Sequence, residues 1–164
     1  MRDLEAVLQE CERKLEAIHI PFNKNVTVRA GKLNARTWGR YWIYKNMIVL
    51  DPVFADDRMQ TFATENVLMH ELLHSCNDCV SHSGLWKHYA QQVNRTYHYK
   101  IKRCSDYKPY MDEELLGEFV QRFKYVARCE GCGTYVTQVR ISDFIRNMDQ
   151  YRCAACKGKF KRIK

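Results

Sequence analysis

The sequence lacks any apolar run of the length that crosses a bilayer, although 46 % of its 164 residues are apolar. Residues 1–16 alternate in charge, which is not the pattern of a secretory signal peptide. We therefore expect a cytoplasmic protein with a buried core, built as one medium domain or as a domain with a small appendage. In a reducing compartment, its eight cysteines are expected to bind metal rather than to pair.

Acidic residues are scarce in the C-terminal quarter. Residues 122–164 hold 11 Lys/Arg against 3 Asp/Glu, a net charge of +8, so that residues 1–121 are neutral overall. This asymmetry favours a polyanionic partner, with nucleic acid as the first candidate, over a solvated basic surface of no special use. The basic side chains expected to contact DNA are Arg152, Lys157, Lys159, Lys161, Arg162 and Lys164.

Hydrophobic periodicity predicts an α+β chain. Helical spacing indicates helices over about residues 2–18, from a cap at Asp56 or Asp57 to about Cys79, over 83–94 and over 112–121. Alternating or short apolar runs indicate β structure over 25–51, with a hairpin turn at Lys45-Asn46, and over 96–103. The aromatic residues of the first β region are expected to pack on the sheet rather than to stack on nucleic acid.

The second predicted helix carries the pattern H-E-x-x-H at His70-Glu71-Leu72-Leu73-His74. Histidines one helical turn apart share a face and can hold one metal ion, beside which Glu71 can act as general base. The flanking residues divide between a core face and a metal face, as an amphipathic helix requires. The core face is Met69, Leu72, Leu73, Cys76 and Val80, and the metal face is Val67, His70, His74 and Asn77.

A catalytic zinc needs a third protein ligand and an open position. The metzincin pattern, with Gly at 77 and His at 80, is excluded because Asn77 and Val80 stand there. Several later residues remain as candidates for the third ligand. They are His82, His88 and His98, and, for a thermolysin-like arrangement, Glu113, Glu114 and Glu118.

A second metal site is predicted near the C-terminus by two Cys-x2-Cys pairs. Cys129 and Cys132 are followed, after 20 residues, by Cys153 and Cys156. Four thiolates close the coordination shell, so this zinc is expected to be structural; the alternative is a redox Cys-x2-Cys. Of the other cysteines, Cys11 and Cys76 are expected in the core, Cys79 at a helix end, and Cys104 has no assignment.

These motifs resemble the SprT-like (Spartan-like) zinc metalloprotease family over nearly the whole chain. The resemblance is carried by Trp38-Gly39-Arg40-Tyr41, by Ile48-Val49-Leu50-Asp51-Pro52, by the H-E-x-x-H, by His82-Ser83-Gly84-Leu85-Trp86 and by the four C-terminal cysteines. It implies a small zincin-like metalloprotease core over residues 1–121 and a basic four-Cys zinc ribbon over 122–164. It further implies that His82 is the third ligand of a catalytic zinc and Glu71 the general base. Ser83 departs from the usual glycine, but it can cap the helix that it begins.

The resemblance also implies an endopeptidase that cleaves proteins bound or crosslinked to DNA, with single-stranded or damaged DNA as a partner. Two alternatives are a nucleic-acid-binding zinc protein without catalysis and a zincin peptidase unrelated to DNA. We expect residues 47–51 to form a sheet edge that aligns the substrate. Tyr97 and Tyr99 are the candidates for stabilising the oxyanion.

Overall fold

A computed structural model describes the whole chain, Met1–Lys164, and divides it into two compact units, Met1–Asp112 and Glu113–Lys164. Each unit combines helices with a three-stranded sheet, which confirms the α+β class. The boundary between the two units follows Asp112, whereas the boundary expected from the sequence follows residue 121. The intervening helix belongs to the second unit, where Phe119 packs edge-on against Phe123 at 5.3 Å between ring centroids. No helix in the structure is both long and apolar enough to cross a membrane.

The first unit contains three helices and three short strands. In chain order these are α1 (Leu4–Ala17), β1 (Thr27–Ala30), β2 (Gly39–Trp42), β3 (Met47–Leu50), α2 (Thr61–Leu73) and α3 (Gly84–Tyr97). The second unit contains two helices and a second sheet. Its elements are α4 (Glu113–Val120), β4 (Tyr125–Cys129), β5 (Tyr135–Gln138), α5 (Asp143–Arg146) and β6 (Phe160–Arg162).

The central strand of the first sheet is β3. It pairs parallel with β1 and antiparallel with β2, in register Thr27 to Met47 and Gly39 to Leu50. The prediction that residues 47–51 form the sheet edge is therefore wrong. An unbroken apolar run such as Met47–Leu50 is typical of a strand covered on both sides, and the edge that faces the cavity is β2.

The core of the first unit lies between α1, α2 and the sheet. The apolar stripe of α1 packs against α2, and Cys11 is fully buried in it, as expected. Most side chains of α2 are buried, because α1 covers one side of the helix and strands β2 and β3 cover another. The expected division of this helix into a core face and a metal face is incomplete, since Val80, assigned to the core, is 70 % exposed beyond the helix end.

The helix that carries the motif is shorter than predicted. It begins after Gln60, because Asp56 instead binds Arg58 through its carboxylate, and it ends at His74, the C-terminal cap. A turn then replaces the expected last turn of helix, with Asp78 in the left-handed conformation at φ 59°. This early end frees the segment after His74 to fold back over the motif.

The strand predicted over 96–103 does not form. Helix α3 continues to Tyr97, and the following backbone bonds to side-chain amides instead of to a neighbouring strand. Asn94 donates to the carbonyl of Ile101 and accepts from its N–H, and Asn66 accepts from the N–H of Lys100. These amides satisfy the backbone groups that a sheet ladder would otherwise pair.

Candidate metal centre

Three histidines converge at the end of helix α2. His70 and His74 come from its last turn and cap, and His82 comes from the segment that leads into α3. The Nε2 atom of His82 lies 2.9 Å from that of His70 and 3.1 Å from that of His74. Tetrahedral zinc with bonds of about 2.0–2.1 Å separates its nitrogen ligands by roughly 3.3 Å. The two separations are slightly shorter than this, so a small outward movement of the rings would let the three nitrogens bind one metal ion.

A backbone contact orients the imidazole of His74. The Nδ1–H of His74 donates to the carbonyl of Cys79 at 2.7 Å, which leaves the Nε2 lone pair free for a metal. The turn at Asp78 positions this carbonyl. Burial lowers the pKa of all three histidines, that of His70 to about 3, so that the rings are neutral, as metal ligation requires.

Trp86 forms the floor beneath these histidines. Its ring centroid lies 4.9 Å from that of His70, 5.5 Å from that of His74 and 4.7 Å from that of His82. The residue is 2 % exposed, and its Nε1 atom has no hydrogen-bond partner. Trp86 of helix α3 thus provides an apolar surface against which all three imidazole rings pack, although the rings come from two segments of the chain.

Glu71 is buried beside the histidines. Its Oε2 accepts from the backbone N–H of Tyr41 at 3.0 Å, and its Oε1 lies 4.0 Å from Nε2 of His70. Burial raises the pKa of the carboxyl to about 7, against the opposing effects of the Tyr41 N–H and the charge of Arg40. The raised pKa makes the carboxylate a stronger proton acceptor than an exposed glutamate.

Gly39 makes room for this carboxyl. A Cβ atom at position 39 would lie 2.9 Å from Cγ and 3.0 Å from Oε1 of Glu71. In the sequence, Gly39 is recognisable only as part of the motif Trp38-Gly39-Arg40-Tyr41. The sequence feature that could have indicated this contact is a glycine inside a strand. Such a glycine often marks a position where another group approaches the backbone closely.

These groups open into a cavity of about 530 Å³ between strand β2 and the segment that follows α3. The three histidines and Glu71 line one side of it. Tyr41 and Tyr107 also line it, and Tyr107 is held by a hydrogen bond to its hydroxyl from the side-chain amide of Asn66, at 2.7 Å. A reacting group can thus reach the histidine nitrogens and the carboxyl together.

The four cysteines of the second unit also form a cluster. Their Sγ atoms lie 3.4 Å apart for Cys129 and Cys156, and 3.6 Å apart for Cys132 and Cys153. The N–H of Gly158 donates to Cys156, and hydrogen bonds from Thr134 lower the pKa of Cys132. Tetrahedral bonds of about 2.3 Å separate thiolates by roughly 3.8 Å, so the cluster fits one metal ion.

Comparison with known proteins places this site in a family. The model of the SprT-like family matches residues 2–105. The chain belongs to the SprT-like family. The matched segment contains the three histidines, Glu71, Gly39 and Trp86, and it ends before the first of the clustered cysteines.

A solved structure similar to this SprT-like chain is that of the metallopeptidase zymogen of Pyrococcus abyssi abylysin. The two are 19 % identical, the similarity covers 73 % of this chain and 90 % of that one, and the TM-score is 0.46. No curated protein matches the chain.

The remaining candidate ligands of this SprT-like protein lie elsewhere. His88 and His98 are outside the three-histidine group, and His98 caps α3 in a left-handed conformation. Glu113, Glu114 and Glu118 belong to the second unit. Ser83 makes no capping hydrogen bond with its side chain, which contacts Ser81 instead, so the expected cap is absent.

The tyrosines suggested for the oxyanion are engaged in the core and do not line the cavity. The hydroxyl of Tyr97 donates to the carbonyl of Lys14, and that of Tyr99 donates to Glu65. Both cysteines of the Cys76–Cys79 turn are buried, whereas Cys104 is exposed at the cavity.

The six basic residues singled out in the C-terminal region are all exposed, but they do not share one face. Lys161 and Arg162 are neighbours on strand β6, so their side chains leave opposite faces of the sheet. Lys161 stands opposite Arg128, and Arg162 packs over the ring of Tyr125. Arg152 donates to backbone carbonyls of Asp149 and Tyr151.

Proposed function

We propose that this SprT-like protein is a zinc-dependent endopeptidase. The observation that carries the proposal is the convergence of three neutral imidazoles beside a buried carboxyl in a cavity that opens to solvent. His70, His74 and His82 would hold the zinc, and three protein ligands leave a position open for chemistry. Zinc bound there supplies Lewis acidity, which polarises a carbonyl group and makes water more acidic.

Glu71 supplies the proton transfers. It takes a proton from the attacking water and later gives it to the leaving amine of the cleaved peptide bond. Burial raises the pKa of this carboxyl, so it accepts a proton more readily than an exposed glutamate does. The Tyr41 N–H and the space at Gly39 hold the carboxyl beside His70 throughout.

The free edge of strand β2 would align the substrate. The carbonyl of Trp38 accepts from Asp51 N–H on the β3 side, whereas the N–H of Tyr41 points to Glu71 on the other side. Because backbone directions alternate along an antiparallel strand, both backbone groups of Gly39 also face the cavity side. An extended peptide can pair with these groups whatever its side chains are.

The finer proposal is that the substrates are proteins bound or crosslinked to DNA. It is supported by the resemblance to the Spartan-like proteases and by the net charge of +8 over residues 122–164, which attracts a phosphate backbone although the basic side chains leave more than one face. The cysteine cluster would hold a second, structural zinc in a ribbon that presents these residues. In this reading, DNA brings the bound protein to the peptidase unit.

The test is cleavage of a DNA-binding protein by the full chain, with and without single-stranded DNA. Glu71→Gln is expected to retain both metals and DNA binding but to lose cleavage. Glu113→Gln serves as the matched control, since it removes a carboxylate that takes no part in the proposed chemistry.

If cleavage depends on Glu71 but does not change when single-stranded DNA is added, the protein is a zincin peptidase unrelated to DNA. Equal cleavage by wild type and Glu71→Gln would overturn the role of Glu71 as general base. DNA binding without any cleavage by the wild type would overturn the enzyme assignment and favour a zinc protein that only binds nucleic acid.

A further inference from the structure

The cavity beside the histidines has an unusual charge. Its lining includes four cationic residues and one carboxylate, Glu71. The four are Arg36, Arg40, Lys102 and Arg103. A zinc ion would add two further positive charges to this space. The cavity is therefore electropositive throughout, apart from the group proposed as the base.

Three of these cations have no acidic partner. Arg40, Lys102 and Arg103 are exposed, and none of them forms an ion pair with a carboxylate. The sequence between Glu16 and Asp51, which supplies one wall of the cavity, contains six Lys/Arg and no acidic residue. Asp106, the acidic residue nearest in sequence to the other wall, is paired with Lys108 at 3.0 Å.

The cations come from two elements that line the cavity. Arg40 lies on strand β2, and Lys102 and Arg103 lie on the segment after α3. A peptide lying along β2 would therefore meet positive charge on both sides of the bond to be cut.

We propose that the cavity selects acidic peptide segments, with Arg40, Lys102 and Arg103 as the residues that recognise Asp or Glu beside the scissile bond. This inference rests on the proposed peptidase activity and adds its substrate class. A volume of about 530 Å³ suits a few residues of an extended chain. In a protein held on DNA, basic segments face the phosphates, which leaves acidic segments free to enter.

The test uses three fluorogenic peptides with one common core, flanked by Glu, by Gln or by Lys. The full-length protein is expected to cleave the Glu peptide with a kcat/KM about fivefold above that of the Gln peptide, and the Lys peptide least well. The preference is expected to shrink as salt is added, because the cations are exposed.

The variants Arg40→Gln, Lys102→Gln and Arg103→Gln should each lower the ratio of Glu to Gln peptide cleavage, and the triple variant should bring it close to one. Lys45→Gln is the matched control. Lys45 and Arg40 lie on the same hairpin and both pack over the ring of Trp42, but Lys45 does not line the cavity, so the ratio should not change.

Two results overturn the inference and leave the peptidase standing. One is Glu71-dependent cleavage of all three peptides at equal rates. The other is equal cleavage together with inhibition by single-stranded DNA that Arg40→Gln and Arg103→Gln relieve, since the cations would then serve nucleic acid. If none of the peptides is cleaved in a Glu71-dependent way, the proposed function itself fails.

Discussion

Gly39 on strand β2 and Glu71 on helix α2 are in direct contact, with a Cβ at position 39 placed 2.9 Å from Cγ of Glu71. Gly39→Ala should therefore displace the carboxyl while sparing the three histidines. We expect cleavage to fall by about tenfold or more with metal content unchanged, since small misplacements of a catalytic group are costly. Peptidase assays and metal analysis check this.

Gly117→Ala is the control for that change, because a Cβ at position 117 meets nothing within 4 Å. It should leave cleavage as it is and, in a helix, raise stability by about 0.5–1 kcal/mol. Wild-type cleavage by Gly39→Ala would contradict the role given to the contact.

His82 is the third metal ligand in our proposal. Its replacement by Ala should leave only His70 and His74, and should weaken metal binding by more than the roughly 10–100-fold that loss of an outer-shell partner costs. Titration with a competing chelator measures the affinity. We expect His88→Ala to retain the metal, because His88 lies outside the three-histidine group; equal affinities in the two variants would show that the site lacks His82.

Trp86 supports all three imidazoles. Truncation to Ala should lower the free energy of unfolding by about 3–5 kcal/mol and loosen the metal site. Trp86→Phe should be much milder, since Nε1 has no hydrogen bond to lose and an aromatic floor remains. Denaturant titration of the two variants compares them. Equal losses of unfolding free energy in the two variants would show that an aromatic ring at this position does not support the histidines.

Metal removal should affect the second unit most. The binding free energy of a structural zinc, about 10–16 kcal/mol in small domains, exceeds the stability of a typical folded domain. Cys132→Ser is therefore expected to make residues 113–164 sensitive to limited proteolysis. The exposed Cys104 gives the control Cys104→Ser, which should stay resistant. A resistant Cys132→Ser would argue against a structural metal.

Asp56 should confer a measurable dependence on pH. Hydrogen bonds from Arg58 lower the pKa of its carboxyl from 3.8 to about 2. The ionised form is thus favoured in the folded state, so the contribution is present above pH 4 and is lost as the pH falls towards 2. Asp56→Asn should be less stable than wild type at pH 6, and the difference should vanish near pH 2 in thermal unfolding. A difference independent of pH would exclude the ion pair as its source.

Two of the three metal-site histidines, His70 and His74, could be predicted because they lie one turn apart on the same helix. His70 and His74 are placed by helical periodicity alone. His82 needs the early end of α2 and the turn at Asp78, and no periodicity specifies either. Its assignment from sequence rested on a family motif instead. The contact of Gly39 with Glu71 joins residues far apart in the chain, so it becomes visible only in the folded structure.

The incorrect predictions share a physical cause. The pattern of residues 96–103 favours a strand, but Asn66 and Asn94 satisfy its backbone groups from other elements. Residues 47–51 were placed at the sheet edge, although their unbroken apolar character suits a strand between two neighbours. In both cases, contacts with residues distant in the sequence determine the backbone pairing, and the local sequence pattern does not specify those contacts.

The hydrogen bond from Tyr41 to Glu71 has a consequence for the behaviour of the protein at high concentration. Unpaired N–H groups on an edge strand are templates for edge-to-edge aggregation. Glu71 occupies one such group, the N–H of Tyr41. A second copy of the sheet therefore finds one pairing site fewer on this edge, and the groups that stay free are those of the short stretch around Gly39.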